Sequence, residues 1–428
     1  MGSLAGLQTP EPFRVLVAGG SYGGLSAALN LQDLCRGLPP RCGAAPAEGE
    51  HHEPTEFAVD ITIVDERDGF YHLIGSPLAL ASETFTEKCW VKYDNIPGLQ
   101  SPNLHVLQGS VKSVDPARKV ATYLPYGNTA DPQEIQYDYF VAASGLRRVW
   151  PVVPQSLRRK QYLFEAGDHI RAATASRHGV VIVGGGAVGI EMAGELKLVH
   201  PHLNVTLVHS RDKLLSSEAL PDEVKDRSLE LLREAEVDVL MSHRLDRTEE
   251  IKDDTGNRCL RLHFTNGHSM LADQVTLAVS RSVPTTSYLP NDVLDEEGYV
   301  RIQASLEFPK ETPNATAHFA VGDLVKWSGI KRCGAAMHMG YYAAHNIHQR
   351  MRELQQEMVV VEEEKKSKML ELDEIPPMIG LAVGKKAVAY WPEGGVTYGE
   401  EIMKSFFGDD LGFSICWNHL RLGGNKVE

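Results

Sequence analysis

The sequence lacks paired cysteines, and this absence excludes two classes of protein. Its six cysteines are scattered along the chain without a C-x-x-C pair, at Cys35, Cys42, Cys89, Cys259, Cys333 and Cys416. Such spacing is typical of reduced thiols and argues against a secreted fold held by disulfides. It also argues against an enzyme that reduces disulfides through an adjacent dithiol.

Long apolar runs and a basic excess are missing too. No stretch of 18 or more apolar residues occurs, so no transmembrane helix is predicted. Residues 1–12 lack the pattern of a signal or transit peptide, which favours a cytoplasmic protein and leaves peripheral contact with a membrane open. The net charge of −14, without a basic stripe, argues against a nucleic-acid partner.

The composition predicts an ordinary globular protein. Its 428 residues are 43% hydrophobic and 23% charged, which suits two to three domains. A strand, a glycine turn, a helix and a second strand are predicted at residues 13–18, 19–24, 25–34 and 57–64, and the pattern restarts at residues 179–208. The predicted fold is therefore α/β, with two Rossmann-like dinucleotide-binding domains, each with a parallel sheet, and a small C-terminal α+β domain.

Domain boundaries follow from these patterns. A first dinucleotide-binding domain is predicted at residues 12–150 and 286–350, with a long surface loop inserted at 36–56. The NAD(P)H-binding domain spans 151–285 and closes with a β-meander at 259–279. Residues 351–374 are predicted to be a charged linker or helix, and residues 375–428 the C-terminal domain.

The first glycine turn is a candidate dinucleotide site, formed by Gly19, Gly20, Ser21, Tyr22, Gly23 and Gly24. Exposed amides and the dipole of the following helix would stabilise a pyrophosphate there. Ser21 stands where a second glycine is usual, although its hydroxyl can donate to phosphate. Asp65, at the end of the next strand, is predicted to bind a ribose hydroxyl.

The second glycine turn matches the dinucleotide pattern fully and is the candidate NAD(P)H site, with Gly184, Gly186 and Gly189 as its glycines. The strand that follows ends in His209 and Arg211, without a carboxylate. A carboxylate there would repel a 2′-phosphate, whereas an arginine accommodates it. The sequence predicts NADPH, or both NADPH and NADH; an ordinary exposed Arg211 is the alternative.

Several motifs resemble those of the two-dinucleotide-binding-domain flavoproteins typified by glutathione reductase and type II NADH dehydrogenases. YDYFVAASG at 137–145 resembles their "YDYLVIATG" strand, and HFAVGD at 318–323 resembles "IFAIGD". GGGAVGIEMAGE at 184–195 and IGLAVGKKAVAYWPEG at 379–394 are similar to the apoptosis-inducing-factor-like, ferroptosis-suppressor branch of NAD(P)H quinone reductases. The resemblance implies FAD contacts at Gly145, Asp323 and the backbone of Val111, and a quinone as electron acceptor.

Hydride transfer from nicotinamide to flavin needs no protein nucleophile, because the cofactors carry the reaction. Glu191, near the start of the second helix, is the predicted catalytic residue, since the resemblance places a glutamate beside the nicotinamide. The alternative is an acid that only complements the helix dipole.

Other functions stay open. They are a sulfide:quinone oxidoreductase using Cys89 and Cys333, a redox-sensing interaction protein in which reduction drives homodimer formation or partner binding, and a specialised oxidoreductase acting on another organic molecule. An aromatic cluster is predicted to form either domain core or an apolar lip for a quinone or membrane: Phe406, Phe407, Phe413 and Trp417.

Overall fold

The computed structural model describes residues 11–41, 56–128, 130–279, 282–358 and 369–424. Its largest sheet has seven strands, of which the first five are parallel and the last two form an antiparallel ribbon. The strands, in spatial order, are His318–Ala320, Tyr139–Ala142, Phe13–Ala18, Val59–Asp65, Leu104–Asp115, Val120–Pro125 and Gln133–Gln136. Strands Tyr139–Ala142 and His318–Ala320 are buried along their whole length, as is typical of strands in a covered parallel sheet.

Two helices pack closely beside this sheet. Helix Tyr22–Leu34 follows strand Phe13–Ala18 in the chain. Helix Cys333–Met358 comes much later and packs across helix Tyr22–Leu34. An ideal Cβ on Gly340 would lie 2.5 Å from the carbonyl oxygen of Gly23, so the crossing requires glycine. The contact fixes the glycine turn at the start of the first helix against the second helix.

A second, parallel sheet of four strands carries the second glycine turn. Its strands, in order, are Asp238–Leu240, Val205–Val208, Val180–Val183 and Gln274–Leu277. Helices Ala187–Val199 and Asp222–Glu234 accompany it, and an antiparallel sheet follows with strands Leu245–Lys252, Arg258–Phe264 and Ser269–Ala272.

The meander predicted at 259–279 is therefore wrong at its end. Gln274–Leu277 joins the parallel sheet beside Val180–Val183. The carboxylate of Asp273 accepts a hydrogen bond from the amide of His178 over 2.6 Å, and this contact places the two strands side by side.

The C-terminal part of the chain is α+β. An antiparallel sheet of three strands, Ile379–Val383, Lys386–Trp391 and Gly395–Gly399, precedes helices Glu400–Phe406 and Phe413–His419. This sheet packs on helix Ala187–Val199 so closely that an ideal Cβ on Gly194 would lie 2.8 Å from the amide nitrogen of Gly384. The predicted fold class is thus confirmed.

Short elements complete the structure. Antiparallel strand pairs join Gly69–Tyr71 to Trp90–Lys92 and Leu146–Arg147 to Val283–Pro284. The remaining α-helices are Ser76–Ala79, Glu83–Cys89 and Arg159–Thr174, and the 3-10 helices are Leu73–Gly75, Tyr93–Asn95, Pro97–Leu99, Asn291–Val293 and Ala315–Ala317.

Two predicted segments fall partly outside the described residues. Of the loop predicted at 36–56, residues 42–55 lie outside them; of the charged segment 351–374, residues 359–368 do. Helix Cys333–Met358 extends into that segment. Within the described ranges, no helix has both the length and the apolar character to cross a bilayer. The domain boundaries stay predictions.

Candidate active site

The first glycine turn is built so that only glycine fits at key positions. Gly19 has φ +116°, a conformation that favours glycine, and its ideal Cβ would lie 2.4 Å from the carbonyl oxygen of Ala143. An ideal Cβ on Gly24 would lie only 1.8 Å from the carbonyl oxygen of Gly19. Ser21 precedes the helix without capping it through its side chain. The turn is a cradle of the type that accepts a phosphate at a helix N-terminus.

Asp65 is tied to this turn. Its Oδ2 accepts a hydrogen bond from the Gly20 amide over 2.7 Å, and its Oδ1 accepts one from the Arg67 amide over 2.8 Å. The hydroxyl of Tyr93 donates to the Gly20 carbonyl over 2.8 Å. Burial raises the pKa of Asp65, while the charge of Arg67 opposes that rise. The carboxylate therefore contacts the turn from the end of strand Val59–Asp65, while its binding to a ribose hydroxyl stays a prediction.

A cavity opens beside the turn and brings three predicted residues together. Gly19, Asp65 and Val111 all line it. Its polar and charged lining also includes Glu66, Arg67, Ser110, Ser144, Arg147 and Arg148. Gly145 lies between two of the lining residues with φ +67°, and its carbonyl accepts from the Thr285 amide over 3.0 Å. The position suits the nucleotide end of FAD.

Asp323 lies near the same cavity. It follows strand His318–Ala320, and its Oδ2 is 3.8 Å from Nη2 of Arg148, which lines the cavity. Burial raises the pKa of Asp323, and the charges of Arg148 and Lys331 oppose that rise. Tyr22 directs its hydroxyl to Nδ1 of His72 over 3.0 Å, so its backbone, at the first position of the helix, is the part that faces the turn.

The second glycine turn repeats the geometry of the first. Gly184 has φ +124°, and an ideal Cβ on Gly189 would lie 1.8 Å from the Gly184 carbonyl oxygen. Gly186 caps helix Ala187–Val199 with φ −82°, and within the described structure its ideal Cβ would meet no atom within 4 Å. The pyrophosphate of a second dinucleotide fits this turn as it fits the first.

His209 takes the place that Asp65 has in the first turn. Its Nδ1 accepts a hydrogen bond from the Gly185 amide over 3.1 Å, and its Nε2 is 3.0 Å from Oγ of Ser216. Burial lowers the pKa of His209, which favours the neutral ring. Arg211 is exposed and donates from Nη1 to the Ser216 carbonyl over 3.1 Å. The strand end thus carries no negative side chain at these two positions.

Glu191 lies where helix Ala187–Val199 meets the C-terminal sheet. Its Oε1 accepts from the Ala382 amide over 3.4 Å. Burial, together with the charges of Glu195 and Cys333, raises the pKa of Glu191 to about 8, and the hydrogen bond from the Ala382 amide opposes this rise. Glu195 is buried, with Oε1 unpaired within the described structure, and burial raises its pKa to about 8 as well. Motif reasoning missed Glu195, although its spacing from Glu191 places both on one helix face.

The two candidate sulfur carriers, Cys89 and Cys333, have different neighbours. The Cys89 thiol is buried and donates to the His72 carbonyl over 3.2 Å. Cys333 lies beside Cys416. No local sequence pattern predicts the second contact, because Cys333 and Cys416 belong to distant elements.

The aromatic cluster is divided between core and surface. Phe407 and Phe413 are buried, and Trp417 stacks on Phe413 with ring centroids 5.4 Å apart. Phe406 is 44% exposed. The core alternative therefore holds for Phe407 and Phe413, and the apolar lip is wrong for both.

Comparison with known proteins places these features in a family. The model of the pyridine nucleotide-disulphide oxidoreductases matches residues 13–340. Oxidoreductase OXR1 of Ajellomyces capsulatus is 50% identical over 427 residues, which cover 99% of this chain and 90% of that protein. Ferroptosis suppressor protein 1 of Homo sapiens is 26% identical over 294 residues, 67% of this chain and 68% of that one.

A solved structure shows the same fold. The NAD-dependent persulfide reductase from A. fulgidus has a TM-score of 0.61 and 18% identity, covering 90% of this chain. This chain spans 65% of the length of that reductase. The predicted resemblance is confirmed by the family match and by the ferroptosis-suppressor relatives. The chain belongs to the pyridine nucleotide-disulphide oxidoreductase family and is an oxidoreductase whose cofactors are FAD and NAD(P)H.

Proposed function

We propose that this protein oxidises NAD(P)H through FAD and passes the electrons to a quinone-like acceptor. The observation that carries the proposal is that the turns at Gly19 and Gly184 have the same geometry. In each, the glycine inside the following helix, Gly24 or Gly189, leaves no room for a Cβ. Bound FAD supplies a two-electron carrier between the nicotinamide and the acceptor. The protein's own contribution is binding, orientation and control of charge.

The two turns bind the pyrophosphates. In each, backbone amides and the helix N-terminus face the negative charge. At the first turn, Asp65 orients the loop through the Gly20 amide and offers its remaining lone pairs to a ribose hydroxyl. At the second turn, neutral His209 does not repel a 2′-phosphate, and exposed Arg211 adds positive charge nearby. NADPH is therefore accepted as well as NADH.

Glu191 orients the nicotinamide. With a pKa of about 8, its carboxyl group is protonated at neutral pH, so it can both donate and accept a hydrogen bond. A carboxamide needs both kinds of partner. Correct alignment of donor and acceptor atoms can lower the barrier of such a transfer by several kcal/mol, up to about 7–11 kcal/mol in well-oriented reactions. Glu191 acts on alignment and does not form a bond to the substrate.

The quinone is supported by the resemblance to quinone reductases of the ferroptosis-suppressor branch. Phe406 and Ile415 leave apolar side chains 44% and 43% exposed on the C-terminal part of the chain. Such side chains suit a planar apolar acceptor or the surface of a membrane that holds one. Peripheral membrane contact and a homodimer are parts of this proposal that need their own measurements.

The test is anaerobic reduction of the purified flavoprotein. We expect NADPH and NADH to bleach the flavin absorbance and a ubiquinone analogue to restore it. Glu191→Ala, which removes both the donor and the acceptor, should slow the bleaching, whereas Glu223→Ala, which replaces a carboxylate exposed on helix Asp222–Glu234, should not. Failure of both nicotinamides to reduce the flavin would overturn the proposal. Reduction without reoxidation by any quinone, together with a change of size on a column, would favour the interaction protein instead.

A further inference from the structure

A tyrosine outside both glycine turns fixes one peptide group of the first turn. The Tyr93 hydroxyl donates to the Gly20 carbonyl over 2.8 Å, and the Tyr93 side chain is buried. An ideal Cβ on Gly20 would lie 2.5 Å from the Tyr93 hydroxyl oxygen, so this contact leaves room only for glycine. The tyrosine and the glycine are therefore matched, although 73 positions separate them in the sequence.

Tyr93 is itself held in place. It is the first residue of the 3-10 helix Tyr93–Asn95, and its amide donates to the Asp68 carbonyl over 3.2 Å. Its carbonyl accepts from the Ile96 amide over 3.1 Å. Burial, followed by the charge of Asp65, raises the pKa of the Tyr93 hydroxyl well above its usual range. The hydroxyl therefore keeps its proton and stays a hydrogen-bond donor at physiological pH.

This hydrogen bond decides where the next backbone amide points. In a trans peptide group the carbonyl and the N–H point in opposite directions. Because Tyr93 binds the Gly20 carbonyl, the Ser21 amide of the same peptide group points away from the tyrosine. The Gly20 amide, in the preceding peptide group, donates to Oδ2 of Asp65 over 2.7 Å. Both peptide groups around Gly20 thus have a fixed orientation.

The second turn has the same arrangement with a different donor. The Gly185 carbonyl accepts from the Leu215 amide over 2.8 Å, and the Gly185 amide donates to Nδ1 of His209 over 3.1 Å. Leu215 has φ +51°, an uncommon conformation for leucine, in the position that makes this contact. Two unrelated segments therefore supply a donor to the corresponding carbonyl of each turn. This recurrence indicates that the contact serves the turn itself.

We propose that Tyr93 is a positioning residue for FAD, because it holds the Gly20 carbonyl and thereby directs the Ser21 amide toward the pyrophosphate of the cofactor. A hydrogen bond to the carbonyl of a peptide group also polarises that group, so the hydroxyl makes the Ser21 amide a stronger donor. The proposal rests on the binding of the FAD pyrophosphate at the first turn, which is part of the proposed function. It does not depend on the identity of the electron acceptor.

Tyr93→Phe tests this role because it removes the hydroxyl and keeps the ring. Phosphorus NMR of the full-length, FAD-loaded protein reports on the pyrophosphate directly. We expect the phosphorus signals of bound FAD to move in the variant, since one donor to the phosphates loses its orientation. FAD release, followed by the gain in flavin fluorescence, should be about tenfold faster, which corresponds to ~1.4 kcal/mol.

Tyr137→Phe is the matched control. Tyr137 is buried, and its hydroxyl lies 2.9 Å from Nε2 of His318, so this substitution also removes a buried hydrogen bond. Tyr137 packs among other core residues than Tyr93 does, so the FAD signals and the release rate should match those of the parent. The pyrophosphate signals of bound NADP⁺ should be unchanged in both variants, because the Leu215 amide holds the second turn.

A fluorinated tyrosine tests the contact without removing it. 3-Fluorotyrosine incorporated at position 93 keeps the ring and the donor, so the protein stays folded even where Tyr93→Phe does not. A phosphate bound to the Ser21 amide strengthens the acceptor at the other end of the peptide group. The fluorine signal at position 93 should therefore move when FAD is released, and the same label at position 137 should show no such change.

Three results would refute the role of Tyr93. They are a Tyr93→Phe protein whose FAD phosphorus signals and release rate match those of the parent, equal changes in Tyr93→Phe and Tyr137→Phe, and a fluorine signal at position 93 that ignores FAD release. Anaerobic reduction by NADPH and reoxidation by a quinone, measured on the parent, test the proposed function separately. A parent that reduces quinones while Tyr93→Phe leaves the phosphorus signals unmoved refutes only the role of Tyr93.

Discussion

The amide of Gly185 donates to Nδ1 of His209 over 3.1 Å, just as the amide of Gly20 donates to Oδ2 of Asp65 over 2.7 Å. The corresponding backbone amide therefore donates to a carboxylate at the first turn and to an imidazole at the second. Both partners accept a hydrogen bond from the turn, but only the first is an acidic side chain. The difference in charge at one shared position distinguishes the two nucleotide sites.

This comparison predicts a change of nicotinamide preference. His209→Asp keeps an acceptor for the Gly185 amide and adds a negative charge that repels a 2′-phosphate. We expect the ratio of kcat/KM for NADPH to that for NADH to fall about tenfold, which corresponds to ~1.4 kcal/mol. Steady-state kinetics with both nucleotides measure it. His209→Asn keeps an uncharged acceptor and is the matched control; an equal fall in both variants would rule out charge as the cause.

The inner glycines of the two turns should be intolerant of a methyl group. Gly24→Ala and Gly189→Ala each place a Cβ 1.8 Å from a backbone oxygen, so the turn or the helix must shift. We expect each to lose about 1–3 kcal/mol of the free energy of unfolding, as overpacked sites do. Gly24→Ala should also bind FAD weakly, whereas Gly189→Ala should stay yellow and bind NADPH weakly.

Gly186→Ala is the control for these two variants. Its φ of −82° suits alanine, and its Cβ would enter open space in the described structure. Thermal unfolding and flavin absorbance should therefore match the parent. A Gly186→Ala variant as unstable as the other two would contradict the geometric explanation.

Asp65 should be needed as a carboxylate, not only as a hydrogen-bonding group. In the parent protein, the amides of Gly20 and Arg67 each donate to a separate carboxylate oxygen of Asp65. Asp65→Asn leaves a single side-chain oxygen to accept both hydrogen bonds. One buried amide would lose its acceptor, at a cost of about 1–3 kcal/mol. We expect weaker FAD binding in a titration of the apoprotein followed by flavin fluorescence. Asp212→Asn changes an exposed carboxylate and should leave that titration unaltered.

Glu195 should make stability depend on pH. Its pKa of about 8 in the folded protein exceeds the ordinary 4.5, so the folded state keeps a proton that the unfolded state releases. Stability from this group is complete below pH 4.5 and is lost as pH rises toward 8. Each pH unit in that window lowers the free energy of unfolding by up to about 1.4 kcal/mol.

Glu195→Gln removes this dependence. We expect urea titrations to show that the free energy of unfolding of the variant increases relative to that of the parent as pH rises from 5 to 8. Glu223→Gln, exposed on another helix, should show no such trend. A constant difference between parent and Glu195→Gln across this range would show that the buried carboxyl does not titrate there.

Local patterns predicted the parts of the fold that depend on neighbouring residues. The strands Phe13–Ala18 and Val205–Val208 have the predicted bounds, since each is a short apolar run limited by turn residues. The helix Tyr22–Leu34 begins three residues before the predicted start, because the glycines of the turn are already helical. Glycine pairs mark such turns in any sequence that needs a tight approach to a helix.

Contacts between distant segments could not be predicted in this way. Tyr93 reaches the Gly20 carbonyl from another part of the chain, and Cys416 reaches Cys333 from the C-terminal helix. Neither residue belongs to a motif, and their contacts depend on how helices and sheets pack. Strand Gln274–Leu277 was misassigned for the same reason, because its partner Val180–Val183 lies far back in the sequence.

The C-terminal segment supplies the Ala382 amide to Glu191 and the Leu411 carbonyl to His72, yet both groups lie beyond the residues 13–340 shared with the family. The segment after residue 340 thus completes the surroundings of two residues that lie within the matched range. A substitution confined to this segment would change the neighbours of Glu191 and His72 without replacing a residue of either glycine turn.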